Sequence, residues 1–215
     1  MGLRLGDIAP DFEAESTLGP IRFHEWLGDQ WCVLFSHPRD FTPVCTTEIG
    51  AISRLKGEFD RRGVKVLGLS IDSLGKHTQW MHDIETSQGI CIRIPLIADP
   101  DRRIATLYDM VHPNTTESST VRTLFIIDPE KKVRLTTSYP PSMGRNFEEV
   151  LRAIDALKLI SEHSVLTPAN WERGDEVIIA PSLSDEAAST KFEDGWRTPL
   201  PYLRFAKDPS LKSKR

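Results

Sequence analysis

The run Trp31-Cys32-Val33-Leu34-Phe35-Ser36, continued by His37-Pro38-Arg39-Asp40-Phe41-Thr42-Pro43-Val44-Cys45-Thr46-Thr47-Glu48, decides how the rest of the chain is read. Its first part is a short, continuous apolar stretch, the pattern of a buried strand. Beyond its far end, Ile49, Ile52, Leu55 and Phe59 recur at the spacing of one helix face. Cys45 therefore falls where a strand leaves a sheet and a helix begins. The unpaired N–H groups and the dipole of a helix N-terminus stabilise an anion, and the thiolate is the nucleophilic form of cysteine. Pro38 and Pro43 restrict the intervening loop. Thr42, three residues before Cys45, can turn its hydroxyl toward the same reacting atom.

Working outward, Gly6-Asp7-Ile8-Ala9-Pro10-Asp11-Phe12 reads as an irregular lead-in anchored by Ile8 and Phe12. Gly19 to Phe23 is a turn into a short strand, and His24 to Leu27 a helical turn stopped by Gly28. The helix from Cys45 is expected to run to about Arg62 and stop at Gly63. Val64 to Ser70 is a second buried strand, parallel to the first because a helix joins them. Asp72 or Ser73 caps a helix running to Gly89, and Ile92 to Ala98 is another strand. A short helix follows around Ile104 to Tyr108, then a polar loop over 111–120. Val121 to Ile127 and Val133 to Ser138 form an antiparallel hairpin about Asp128-Pro129-Glu130-Lys131-Lys132. Asn146 and Glu149 have the spacing of a capping box, opening a helix with Phe147, Val150, Leu151, Ile154 and Leu157 on one face. That order is mixed α/β, with one central sheet covered by helices.

After about residue 163 prolines recur and aromatics scatter. The reading is a first domain over 1–163 and a small module over 164–215. One strand (Val177 to Ala180) and one helix (Asp185 to Phe192) are expected in the module. It is too small to bury a core alone and should pack on another surface.

Composition narrows the function. The net charge of −4 over 215 residues argues against a general nucleic-acid binder. No apolar run approaches the roughly 20 residues of a membrane helix, and the first residues lack a signal-peptide core. A cytoplasmic setting is the expectation. Lys207, Lys212, Lys214 and Arg215 make the last residues locally basic, read as a solvated tail. Three cysteines without a C-x-x-C suggest neither a disulfide framework nor a zinc site, but suit a single active thiol.

Pro38-x-x-x-Thr42-x-x-Cys45 resembles the signature of the peroxiredoxins, and the whole of Ser36 to Glu48 resembles their one-cysteine branch. Gly6, Ala9, Pro10 and Phe12, and the stretch Thr167 to Pro181, are similar to further parts of that family. The resemblance implies a thioredoxin-like fold, a central mixed sheet flanked by helices, with a small C-terminal module that packs a homodimer or a larger ring. It implies that Cys45 attacks hydrogen peroxide and organic hydroperoxides. It assigns Arg122 as the active-site arginine, Arg145 as a second arginine, Glu48 as the carboxylate orienting both, and Pro38 as a shield of the thiolate, with His37 beside it. No cofactor or metal is implied. Because no cysteine follows Cys91, an external thiol (glutathione, thioredoxin or similar) is expected to reduce the sulfenic acid left on Cys45. Some relatives also hydrolyse phospholipids through a serine. Gln30 stands at that position here, and a glutamine is no acyl nucleophile, so that activity is not expected although His24 matches its partner histidine.

The plainer readings compete. Cys32, and Cys91 between Ile90 and Ile92, read as small buried hydrophobes, with redox exchange the alternative for Cys91. His24, His77, His82, His112 and His163 read as surface or packing residues. A second function class is a peroxide sensor or chaperone-like interaction protein switched by oxidation of Cys45. A cysteine hydrolase built from Cys45 and His37 lacks a separate orienting Asn or Asp.

Overall fold

The protein, seen as a computed structural model, is described over residues 2–111 and 119–211. The middle of the expected polar loop (112–118) and the end of the basic tail (212–215) lie outside those residues. In chain order the elements are β1 (Glu13–Ala14), β2 (Ile21–Arg22), α1 (Phe23–Leu27), β3 (Trp31–Ser36), α2 (Pro43–Arg54), α3 (Lys56–Arg61), β4 (Val64–Ser70), α4 (Leu74–Gln88), β5 (Leu96–Ala98) and α5 (Arg103–Leu107). There follow β6 (Arg122–Ile127), β7 (Val133–Tyr139), α6 (Phe147–His163), β8 (Val165–Leu166), β9 (Val177–Ile179), α7 (Asp185–Lys191), β10 (Arg197–Leu200) and β11 (Leu203–Ala206).

Two compact units result, Met1–Phe147 and Glu148–Arg215. The first is built on a five-stranded sheet in the order β5-β4-β3-β6-β7. β3 pairs parallel with β4 and β4 with β5, while β6 and β7 run antiparallel, so the sheet is mixed. Every residue of central β3 is buried. Side chains alternate between the faces of a strand. Cys32 and Leu34 of β3, Leu67 and Leu69 of β4, and Phe125 and Ile127 of β6 thus share one face and pack with Phe23, Leu27 and Tyr108. The lead-in docks as expected through Phe12, which is buried in this cluster, but not through Ile8, the other expected anchor. Ala9 is buried while Ile8 is exposed, because backbone bonds from Gly6 to Val133 (2.8 Å) and Ala9 to Lys131 (2.7 Å) fix which residue faces inward.

Several element boundaries differ from the sequence reading, most of them by one residue, and the larger differences are these. The helix after β3 starts at Pro43, whose missing N–H and fixed φ suit a first helical position. It breaks at Leu55 into α2 and α3. The third strand shortens to Leu96–Ala98. In the second unit, β8 to β11 make a four-stranded sheet ordered β10-β11-β9-β8, where a single strand was expected. That unit does assemble a core. Ala156 and Leu159 of α6 join Val165, Trp171, Val177, Ile179, Ala188, Phe192 and Ala206. The break between units therefore falls at the start of α6 rather than at residue 163, since the helix supplies part of the second core.

Gly68 in β4 has no room for a side chain, as a Cβ there would come within 2.5 Å of Leu96 Cδ2 and 3.1 Å of Phe35 Cζ. Gly68→Ala should destabilise by about 1–3 kcal/mol through overpacking, read as a lower urea midpoint at unchanged slope. Gly57→Ala in α3, where a Cβ meets only Arg61 Nη1 at 3.8 Å, should instead stabilise by about 0.5–1 kcal/mol.

Candidate active site

Cys45 lies in the first turn of α2, with Thr42 at the N-cap and Pro43 following. Pro43 has no N–H, and Thr42 forms no side-chain cap. The backbone N–H groups of Val44 and Cys45 are the donors this turn offers to an anion, since a helix cannot pair them internally. The Thr42 hydroxyl donates to the Arg39 carbonyl at 2.9 Å, so its proton points back into the loop and its lone pairs remain as acceptors. Pro38 is buried in the same loop.

The Cys45 side chain is fully buried. Arg122, at the start of β6, brings Nη1 to 3.3 Å from Sγ and donates from the same nitrogen to Glu48 Oε2 at 2.6 Å. Its Nε and Nη2 donate to the Pro141 carbonyl at 3.1 and 2.7 Å, which fixes the plane of the guanidinium. Arg145 closes on Glu48 from the other side. Its backbone N and its Nε each donate to Oε1 at 2.8 Å, and Nη2 donates to Oε2 at 2.8 Å. Its Nη1 donates to the Thr123 carbonyl at 3.2 Å, and its guanidinium lies 4.9 Å over the Phe35 ring. Burial pushes the Glu48 carboxyl up, but the bonds and charge of Arg145, then the charge of Arg122, outweigh it and hold the group below the usual carboxylate range. Two buried guanidinium groups share one buried carboxylate, leaving a surplus positive charge directed at Sγ.

A second polar chain braces the loop. His37 Nε2 is 2.8 Å from Asp40 Oδ1, and Asp40 Oδ2 is 2.6 Å from His77 Nδ1. His77 Nε2 in turn lies 3.0 Å from the Ile97 carbonyl, and the Asp40 backbone N donates to Asp72 Oδ2 at 2.9 Å. Burial pushes His37 below its ordinary value, with Asp40 acting in the opposite sense. The Asp40 carboxyl is pushed up by burial, yet its bonds from His37 and His77 bring it below the usual range. His37 Nδ1 has no hydrogen-bond partner among the described residues. The His37 ring also lies 5.1 Å from that of Trp80, whose Nε1 donates to Thr46 Oγ1 at 3.1 Å.

All seven residues singled out in the sequence thus lie on this loop, on α2, or on the two arginine-bearing segments that meet them. Asp40 and His77 were missed. His77 read as surface or packing and is fully buried. The one local signal was the His37–Asp40 spacing, and nothing near His77 announced its partner. The other two thiols differ from Cys45. Cys32 is buried on β3, and burial pushes its thiol up. Cys91 is exposed, not buried as expected, because it sits in the irregular stretch between α4 and β5.

Sheet, helix start and arginine-braced thiol together define an α/β thiol-based oxidoreductase of thioredoxin-like fold. Residues 5–136 match the AhpC/TSA family model, and residues 156–195 match the C-terminal domain of 1-Cys peroxiredoxin. The chain is 46% identical to a 1-Cys peroxiredoxin of Dictyostelium discoideum, over 97% of this chain and 86% of the relative. It is 46% identical to peroxiredoxin-6 of Gallus gallus, over 97% and 99%. Among solved structures, a Cys-to-Ser mutant of peroxiredoxin 6 from Arenicola marina superposes with a TM-score of 0.91 at 44% identity, over 97% of this chain and 99% of that one. A yeast mitochondrial 1-Cys peroxiredoxin, studied for thiol resolution via the glutathione and thioredoxin systems, gives 0.89 at 48%, over 95% and 99%. The chain belongs to the peroxiredoxins, in their one-cysteine branch, and is a thiol-dependent peroxidase. Among the described residues no helix is long and apolar enough to cross a membrane.

The charge arrangement sets a pH dependence. A histidine lowered on folding binds its proton better when unfolded, so His37 should cost stability as pH falls below its ordinary 6.5. Glu48, lowered from 4.5, stabilises fully above that value and loses its contribution as pH falls below it. Thermal midpoints should therefore decline in two acid steps, and Glu48→Gln should shrink the lower one, leaving the part due to Asp40, which is lowered from 3.8.

Proposed function

We propose that Cys45 is the peroxide-reducing nucleophile of this enzyme, acting on hydrogen peroxide and organic hydroperoxides. The observation that carries the reading is the Arg122 guanidinium 3.3 Å from Sγ, with its surplus charge unmatched by Glu48. An anionic sulfur balances that charge. The sulfur attacks one peroxide oxygen; an S–O bond forms as the O–O bond breaks, and the electron pair leaves on the second oxygen, which takes up a proton as water or an alcohol. Sulfur is oxidised by two electrons to the sulfenic acid. Arg122 and the first-turn N–H groups meet the negative charge as it moves from sulfur to oxygen. Thr42 offers lone pairs to the proton-bearing peroxide oxygen, and Pro38 keeps bulk water from the thiolate. Glu48 and Arg145 position Arg122, and His37 with Asp40 and His77 holds the loop.

The second half-reaction uses an external thiol. It condenses with the sulfenic acid, releasing water and forming a mixed disulfide, and a second thiol then frees Cys45. Glutathione or thioredoxin is the proposed source, as for the yeast relative. The three cysteines are free, Cys32 is inert on its strand, and no bound cofactor enters either half-reaction. A cytoplasmic homodimer is the proposed working form, although the yeast relative is named as mitochondrial.

Stopped-flow mixing of the reduced protein with hydrogen peroxide tests this. Rapid oxidation should vanish in Cys45→Ser and persist in Cys32→Ser and Cys91→Ser. Arg122→Lys should slow it by about 10²–10³-fold, the typical cost of losing one positioned donor to developing charge. Equal, slow rates in all of these proteins would remove Cys45 from the reaction. One oxidation per chain with glutathione or thioredoxin present would point to a sensor instead of a turning-over enzyme.

A further inference from the structure

The first unit holds a cavity of about 250 Å³ that shares no lining residue with the thiol site. Three cations line it, Lys56 from α3, Lys65 from β4 and Arg93 from the stretch before β5, against one carboxylate, Asp60. That excess of positive charge stands in a chain whose net charge is −4. Lys56 pairs with Asp60, so the lone acid is taken. The other two cations have no carboxylate partner among the described residues. Lys65 Nζ donates to the Trp26 carbonyl and lies 4.9 Å over the Trp26 ring, which holds the half-buried ammonium in place. An ammonium has three N–H donors, and the carbonyl takes one. Arg93 is exposed, and its guanidinium has no hydrogen-bond or ionic partner among the described residues. Both charged groups are therefore open to a ligand.

The walls say which anion fits. Ile21, Val66 and Pro95 are buried against the cavity, and Trp26 is half-buried. Leu18 borders it as an exposed apolar side chain on a fixed turn, where Ser16 Oγ donates to the Gly19 carbonyl at 2.6 Å and accepts from the Leu18 N–H at 3.2 Å. The volume lies just below the roughly 300–1,000 Å³ of ordinary ligand pockets, which suits one ring or a short chain with its charged group. A wider cleft shares Pro20, Ile21 and Trp26 with this cavity and is lined by Glu13, Glu15, Glu25 and Asp101 among others. An anionic bilayer or a polyanion laid over the cations would meet those acids as well, whereas a small molecule enters the cavity without them. We propose that this cavity binds a small organic oxyanion, a phosphate monoester or a carboxylate on a compact apolar body. Its oxygens accept from Lys65 Nζ and from the planar fork of Arg93, and its body rests against Trp26, Pro95 and Leu18.

The test titrates phenyl phosphate and benzoate, separately, into the ¹⁵N-labelled full chain at constant ionic strength, with phenol and inorganic phosphate in parallel. Saturable shifts should appear at the Trp26 indole N–H and at the amides of Leu18, Lys65 and Arg93. The tighter of the two organic anions identifies the head group, and either result supports the site. Phenol lacks the charge and inorganic phosphate lacks the body, so each should bind more weakly by about tenfold or more. Arg93→Gln and Lys65→Met should each weaken binding by about 10- to 100-fold, the typical effect of losing a charge-assisted hydrogen bond. Lys65→Met keeps an apolar stem beside Trp26. Arg93 is exposed and unpaired, so Arg93→Gln should leave the thermal transition in place and carries the test if Lys65→Met unfolds. Absence of saturable shifts with both organic anions, shifts that survive Arg93→Gln at full affinity, or inorganic phosphate binding as tightly as the better organic anion would overturn the proposal.

Discussion

One buried carboxylate, Glu48, sits between two arginines that reach it from segments 74 and 97 residues away in sequence. Removing one partner from such an arrangement leaves an uncompensated buried charge, typically about 3–5 kcal/mol of destabilisation. The constraint therefore runs both ways. The carboxylate cannot be buried without the arginines, and the arginines cannot be held beside a thiol without the carboxylate. It ties α2 to the start of β6 and to the segment before α6, and it leaves one positive charge over. That charge lies against the sulfur of Cys45. The chemistry and the local fold are consequences of the same ion cluster.

The second support is geometric. Trp31–Ser36 delivers the chain to the end of the central strand, and the loop from His37 to Thr42 must turn it into a helix within a few residues. Asp40 carries that turn, accepting from both His37 and His77 through its side chain while its own N–H is held by Asp72. Strand, loop and α4 are thereby fastened at one point. Phe41, next in sequence, adopts φ 55, a backbone region that a bulky residue avoids unless its surroundings impose it. The strain lies two residues before Pro43, where the helical turn that presents Cys45 begins.

The parts of this structure that sequence made legible are those governed by local pattern. The apolar runs Trp31–Ser36 and Val64–Ser70 became strands with those limits, because uninterrupted burial leaves little choice of boundary. The hairpin of β6 and β7 followed from its turn residues. Edge elements were not legible. β10 is exposed at every residue and contains Pro199, so neither alternation nor propensity marked it as a strand. In the site, Pro38, Thr42 and Cys45 lie within one short run and could be read together. The arginines could not be placed by spacing, since their separations from Glu48 are set by the sheet order. Only family resemblance pointed to Arg122 and Arg145. Neither pattern nor resemblance had pointed to His77, whose meaning depends on where α4 lies against the loop.

The central claim is that Glu48 acts on the sulfur through Arg122 and not by merely stabilising the fold. A double-mutant cycle on single-turnover oxidation by hydrogen peroxide addresses it directly, using Glu48→Gln, Arg122→Lys and the two combined, each checked for a native thermal transition. The account predicts that Glu48→Gln alone slows oxidation by about tenfold or more, and that adding it to Arg122→Lys costs little further. Oxidation of folded Glu48→Gln at the natural rate, or fully additive losses in the double variant, would contradict it.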